Sequence, residues 1–320
     1  MGRVFESVAL QKKFGERWAL KDMSFSIEAG DVFGLVGPNG AGKTTAIRIL
    51  LGLLQPTGGS ARLYGVPCGQ LTGDVKRRIG FVLENQGLCE NLTVSENLRV
   101  WARLYRVRNE GVRMGALLSM LNLEGRTSDR VADLSRGMRQ KTALARALLT
   151  NPEFIVLDEP TANLDPIVQR EILDLVAELR NKGRTVLLSS HNLNEVERAC
   201  SRVAVVVEGR VVAVDRLDRL LASFQGHRKI IDTPPSKGAD DTIRVLKNCS
   251  ALRAEVAGAR IDVLFPVRWD NVELLNQLTG AGLAGISIID SEVTLEDVFR
   301  IVTHDGRNAR EAWEEVWKTF

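Results

Sequence analysis

Four residues separate Gly37 from Gly42 in Gly37-Pro38-Asn39-Gly40-Ala41-Gly42-Lys43-Thr44-Thr45, and Lys43 and Thr44 follow at once. This is the spacing of a phosphate-cradling loop. Gly37, Gly40 and Gly42 admit backbone conformations closed to larger residues, so successive N–H groups can face one anion. Lys43 would reach the β- and γ-phosphates of a nucleotide, and the Thr44 hydroxyl would ligate Mg²⁺. The flanks supply what such a loop needs. Residues 32–36 are a short apolar run suited to a buried strand, and Ile47, Leu50 and Leu51 are spaced as one helix face. A helix starting near Lys43 directs the positive end of its dipole at the same anion. The competing reading is a chance glycine turn, which the strand and helix disfavour.

A second constellation lies downstream. Phe154-Ile155-Val156-Leu157 is a buried-type strand ending in Asp158-Glu159-Pro160. Beside a phosphate loop, Asp158 stands where the second Mg²⁺ carboxylate is needed, and Glu159 can polarise an attacking water as general base. The pair read alone could be a solvated turn. Phe14, in the polar stretch Lys12-Lys13-Phe14-Gly15-Glu16, is either a stacking platform for a purine base or a turn aromatic packed on a sheet.

The elements that must position these residues alternate between strand and helix, which implies a mainly parallel core sheet. An antiparallel region is expected over residues 3–35, where Ser24-Phe25-Ser26-Ile27-Glu28 alternates, with further strands at 61–64 and 78–83. Thr93-Val94-Ser95-Glu96 carries a capping-box signature, followed by Leu98, Trp101, Leu104 and Tyr105. Further helices at 113–121 and 138–149 make residues 90–150 a helical subdomain. A strand at 154–157 and a helix opening at Leu164-Asp165-Pro166 come next, then a strand at 185–190 closed by His191. Strands at 203–207 and 211–214 read as a hairpin. After about residue 222 the character changes. A loop or linker is expected at 233–241, strands at 252–256 and 260–265, a helix at 271–278, a strand at 285–289, and a helix capped at Thr294. Trp313, Val316, Trp317 and Phe320 form one helical stripe in the tail, suited to self-packing or to a partner.

Composition narrows the function classes. The net charge is +3, from 43 basic and 40 acidic residues, so no long-range field recruits nucleic acid. Cys68, Cys89, Cys200 and Cys249 are scattered, without metal-binding spacing, and read as buried or free thiols of a reducing cytosol. The N-terminus lacks the apolar core of a signal peptide, and no apolar stretch approaches the ~18 residues of a membrane span. A cytoplasmic chain is expected, with any membrane role exercised through a partner.

The order of phosphate loop, helical insert, Leu134-Ser135-Arg136-Gly137-Met138-Arg139-Gln140, apolar-Asp158-Glu159-Pro160, Asn163-Leu164-Asp165 and His191 resembles an ABC ATPase over about residues 3–222. The fold class implied is an α/β, ABC-type P-loop NTPase with an antiparallel β region and a helical subdomain. It occupies residues 1–222, and a small C-terminal α+β domain occupies 223–320. The resemblance implies ATP and Mg²⁺ as ligands, and it implies roles for matching positions. Ser135 and Gly137 would contact the γ-phosphate held by the opposite subunit, so that one cassette per chain implies a homo- or heterodimer. Asp165 would couple the two sites across that dimer, and His191 would hydrogen-bond the γ-phosphate and sense hydrolysis.

Three positions depart from the family pattern. The usual Gln is Glu84, which can approach Mg²⁺ or its water but adds negative charge and cannot donate when ionised. Gln86, two residues on, lies out of register. Arg136 stands where the signature has Gly, either placing charge near the phosphate or facing solvent, and Phe14 replaces the commoner Tyr. Hydrolysis is still expected. The Leu-Ser-Arg-Gly-Met form and the C-terminal Thr294-Leu295-Glu296-Asp297-Val298-Phe299 are similar to single-cassette ATPases of ABC-2-type exporters, which work at the cytoplasmic face of the membrane with separate permease subunits. There the region from Glu84 to Trp101 would receive a cytoplasmic helix of the permease. Two other readings remain: a soluble ABC ATPase acting on ribosomes, DNA or iron–sulfur assembly, and a regulatory module whose C-terminal domain senses a ligand.

Overall fold

The structure, a computed structural model, describes residues 2–233, 239–283 and 285–304. The chain divides into two compact units, Met1–Val214 and Asp215–Phe320. The division falls eight residues before the expected 222, so helix Leu217–Ser223 belongs with the second unit.

In the first unit, β1 (Arg3–Phe14) and β2 (Arg17–Glu28) form an antiparallel hairpin. There follow β3 (Val32–Val36), α1 (Lys43–Leu50), β4 (Gly58–Leu63), β5 (Val66–Pro67), α2 (Gly73–Arg77) and β6 (Ile79–Val82). Three helices come next, α3 (Val94–Leu104), α4 (Glu110–Met120) and α5 (Arg136–Leu148). The unit closes with β7 (Phe154–Asp158), α6 (Pro166–Asn181), β8 (Thr185–Ser190), α7 (Leu193–Ala199), β9 (Arg202–Val207) and β10 (Arg210–Arg216).

One ten-stranded sheet runs β5-β4-β1-β2-β10-β9-β3-β8-β7-β6. The strands from β9 through β3, β8 and β7 to the edge strand β6 are parallel, and β3, β7 and β8 are buried along their whole length. Continuous Val/Ile/Leu/Phe runs are what a sheet covered on both faces requires. The antiparallel part does not stand apart. Strand β10 lies between β9 and β2 and pairs parallel to β2 at Arg210 and Asp22, joining both parts into one sheet.

The capping box at Thr93 forms in both directions: Thr93 Oγ1 accepts from Glu96 N–H at 3.2 Å, and Glu96 Oε2 accepts from Thr93 N–H at 2.8 Å. Helix α3 buries Val94, Asn97, Leu98 and Ala102 and leaves Leu104 65% exposed, so the buried stripe is offset from the one expected.

The second unit contains α8 (Leu217–Ser223), β11 (Arg228–Asp232), α9 (Ala239–Asn248), β12 (Arg253–Ala257), β13 (Arg260–Leu264), α10 (Asn271–Gly280), β14 (Ser287–Asp290) and α11 (Leu295–His304). Its sheet, ordered β12-β13-β11-β14, is antiparallel throughout and packs Ile231, Ile261, Val263 and Phe265 against Leu246, Leu274 and Leu278. Two elements here differ from expectation. The expected loop at 233–241 gives way to α9 from residue 239. Strand β11 is hidden in sequence because Lys229 occupies a core-facing position. That side chain is buried, and its Nζ donates to Asn271 Oδ1 and Asp290 Oδ1, both at 2.6 Å. The aromatic stripe expected at 310–320 lies outside the described residues.

Candidate active site

Strand β3 delivers the chain into the glycine loop, and α1 leads it out. Gly42 is the N-cap of α1 at φ +107°, and a Cβ there would sit 2.7 Å from Ala19 O. At Gly37 a Cβ would meet Val206 O at 2.2 Å. At these two positions the loop backbone packs directly on neighbouring carbonyls, and a side chain would push it away. The α1 N-terminus has no side-chain cap and no acidic residue in its first turn, which leaves its free N–H groups open to an external anion. Lys43 curls back over the loop; its buried Nζ donates to Gly37 O at 2.6 Å and Pro38 O at 3.2 Å.

Strand β7 brings two carboxylates to the same place. Asp158 is 1% exposed, and Ser189 Oγ donates to its Oδ1 at 2.6 Å. Burial pushes its carboxyl above the usual carboxylate range, and the charges of Glu159 and Glu84 add to this. Hydrogen bonds from Ser189 and Thr44 work against the rise. Its second oxygen, Oδ2, is buried with no hydrogen-bond partner.

Glu159 sits in the left-handed region at φ +49°, a costly conformation for a residue with a Cβ. Ser189 holds it there, accepting the Glu159 N–H on both Oγ at 2.9 Å and its carbonyl at 3.2 Å. The twist aims the Glu159 carboxylate between two partners. Oε1 lies 3.1 Å from Lys43 Nζ, and Oε2 lies 2.8 Å from His191 Nδ1. With Nδ1 protonated toward Glu159, His191 keeps Nε2 as an acceptor; the imidazolium would donate from both nitrogens.

A cleft of about 680 Å³ opens over these groups. It is lined by Phe14, Asn39, Gly40, Ala41, Gly42, Lys43, Thr44, Thr45, Glu84, Arg136, Asp158, Glu159 and His191, which brings most of the expected residues together. Arg136 thus faces the cleft. Gly37 and Pro38 stand behind it, lending carbonyls to Lys43. Ser135, Gly137 and Asp165 do not line it. Ser135 caps α5 by accepting from Met138 N–H at 3.2 Å. Asp165 caps α6 by accepting from Ile167 and Val168 N–H, each at 3.1 Å. A Cβ on Gly137 would come within 3.0 Å of Val168, so that glycine keeps α5 close to α6.

Several contributors were not singled out in the sequence. Trp18, 42% exposed, lines the cleft with Phe14, which is 51% exposed. Its sequence signal was the hairpin turn, across which Phe14 pairs with Arg17. Arg146 is buried in α5 and donates to Gln86 O at 2.6 Å, Gly87 O at 2.9 Å and Phe81 O at 3.4 Å. With the Gln86 to Gln140 bond at 2.7 Å, it fastens the loop bearing Glu84 to α5. An arginine inside an Ala/Leu-rich helix was the available clue.

Residues 20–162 match the ABC transporter family model. The "Nod factor export ATP-binding protein I" of Cupriavidus pinatubonensis is 35% identical over 311 residues, covering 96% of this chain and 92% of that protein. The chain belongs to the ABC transporter ATP-binding proteins. The Rhizobium meliloti protein of the same name is 34% identical over 305 residues, covering 95% of this chain and 88% of its own. Among solved structures, an ATP-binding subunit of an ABC transporter aligns at TM-score 0.64 and 32% identity, over 69% of this chain and 93% of the other. A dimeric ATP-binding cassette in a post-hydrolysis state with ADP and Pi aligns at TM-score 0.61 and 30% identity, over 67% of this chain and 98% of the other. The protein is thus an ATP-binding and ATP-hydrolysing subunit of a transporter, with the α/β cassette fold. No helix among the described residues of this ABC cassette is long and apolar enough to cross a membrane.

Proposed function

We propose that this ABC cassette powers export: it dimerises on ATP, hydrolyses it, and drives a separately encoded membrane subunit from the cytoplasmic face. The observation that carries the catalytic part is the chain of contacts Lys43, Glu159 and His191 beneath an uncapped helix N-terminus. Relatives named for export, aligned over nearly the whole chain, support the direction.

In this reading the backbone N–H groups of residues 40–45 and the Lys43 ammonium hold the nucleotide phosphates, and Phe14 stacks on the base. The residues fit a divalent cation: Asp158 Oδ2 is a buried oxygen without a partner, and Thr44 and Glu84 border the same cleft. Mg²⁺ bound there would neutralise charge on the phosphate oxygens. Once the terminal phosphate claims Lys43, Glu159 loses its cation partner and turns to water. Water oxygen bonds to the γ-phosphorus, its proton passes to Glu159, and the bond to the bridging oxygen breaks, giving ADP and phosphate. His191 donates to the phosphate as it leaves.

Ser135 and Gly137 on one side and Asp165 on the other would be completed by a second cassette, identical or related. That is consistent with Ser135 and Asp165 lying outside the cleft of their own chain.

Affinity purification of the tagged protein from its own cells in mild detergent tests the transport part. A stoichiometric multi-span membrane protein is expected. Recovery only with ribosomes, DNA or an assembly protein would overturn export and leave the ATPase standing.

A further inference from the structure

Glu195 lies in the first turn of α7, four residues beyond His191, and is 7% exposed. Its carboxylate collects donors from three places. Thr161 Oγ1 donates to Oε2 at 2.6 Å, Ser190 Oγ donates to the same oxygen at 3.3 Å, and Asn192 Nδ2 donates to Oε1 at 3.1 Å. The Asn192 contact joins two side chains and leaves the N-cap N–H to Ser190, so this carboxylate does not act as a helix cap. The other two reach outside the helix.

Those contacts join two working segments. Ser190 and Asn192 bracket His191, and Ser190 Oγ also accepts the Asn192 N–H at 2.9 Å, so the histidine stands on a loop whose two ends are tied to each other. Thr161 comes two residues after Glu159 and begins the stretch that ends in Asp165. From the other side, Gln169 Nε2 holds this stretch by donating to Thr161 O at 3.3 Å and Leu164 O at 3.0 Å. Thr161 and Ser190 are themselves buried, so the link runs through side chains shielded from water. Charge-assisted hydrogen bonds in such a setting are stiff and strong.

The geometry points to Glu195 as a positioning residue that couples His191 to the segment 161–165. A displacement of His191 toward the terminal phosphate shifts Ser190 and Asn192, and Glu195 passes the shift through Thr161 to Asp165. The inference rests on the proposed ATPase reading and on Asp165 meeting the second cassette.

Glu195→Ala and Thr161→Val are compared with wild type for nucleotide affinity, kcat, melting temperature and ATP-driven dimerisation in a Glu159→Gln background. Without the charge-assisted hydrogen bond between these two side chains, kcat falls about tenfold or more. Nucleotide affinity stays within about twofold, because neither residue touches the cleft. The ATP-driven dimer weakens, and the double variant is no worse than Glu195→Ala alone. Unchanged kcat in a folded Thr161→Val variant overturns the link. So does parallel loss of affinity, kcat and melting temperature, which is the mark of a merely structural carboxylate. Wild type without ATP hydrolysis would sink the ATPase reading instead, so the two failures are distinguishable.

Discussion

Lys43 Nζ and Glu159 Oε1 stand 3.1 Å apart, so the lysine of the glycine loop is neutralised by the carboxylate that directly follows β7. In this arrangement the carboxylate occupies the partner's role that a terminal phosphate would take. In the proposed mechanism, nucleotide binding and release of the base would be one event: the anion that claims Lys43 would free Glu159. The strained φ of Glu159 and its paired anchorage on Ser189 keep the carboxylate on this line.

Glu159→Gln is therefore expected to retain ATP binding while kcat falls about 100- to 10,000-fold, the range of a lost general base. The variant should accumulate an ATP-bound dimer, read by size-exclusion chromatography. Hydrolysis at the wild-type rate would eliminate Glu159 as base. Lys43→Ala should instead lose nucleotide affinity first.

Asp158 gives a test by pH. Burial raises its folded pKa, so the protonated form favours the fold. That contribution is complete below the unfolded value of about 3.9 and is lost as pH climbs through the folded pKa. Above the unfolded value the fold must either carry a buried charge at this position or take up a proton to neutralise it, and both cost stability. Asp158→Asn should raise the melting temperature of the nucleotide-free protein at pH 7, about 2–4 °C for each kcal/mol gained. It should also flatten the pH dependence and abolish Mg²⁺-dependent hydrolysis. A variant that melts lower than wild type at neutral pH would contradict this account.

Arg146 offers a test of the loop bearing Glu84. Arg146→Met leaves the carbonyls of Gln86 and Gly87 without their donor, at a cost of about 1–3 kcal/mol. Faster proteolysis within residues 84–92 should accompany the lower urea midpoint. An unchanged midpoint and cleavage pattern would show that Gln140 suffices to hold the loop.

In the second unit, Asp297 is fully buried. Arg228 Nη1 donates to its Oδ2 at 3.2 Å, and Arg253 Nη2 lies 3.4 Å from Oδ1. Asp297→Ala leaves two cations without that partner and should cost about 3–5 kcal/mol. Calorimetry should show the loss in the transition of residues 215–320. A loss confined to the first unit would contradict the assignment of the network.

The glycine loop, the Asp158-Glu159 strand end and the Thr93 capping box were legible in the sequence because each is local. A turn needing glycine, an apolar run ending in acid and a reciprocal cap are set by neighbours a few residues apart. The parallel core followed from the same kind of signal, since strands buried on both faces must read as unbroken apolar runs.

The rest depended on residues far apart in the chain. Whether Arg136 met solvent or the cleft, and whether Lys43 met Glu159, was decided by the crossovers that set β3 and β7 on either side of β8. The joining of the antiparallel strands to the core was decided by β10, whose own sequence reads only as half of a hairpin. The burial of Glu195, Arg146 and Lys229 is not legible in the sequence, because a sequence shows the cost of burying an ion but not the distant donors and acceptors that offset it. Only the tertiary structure brings those partners within hydrogen-bonding reach.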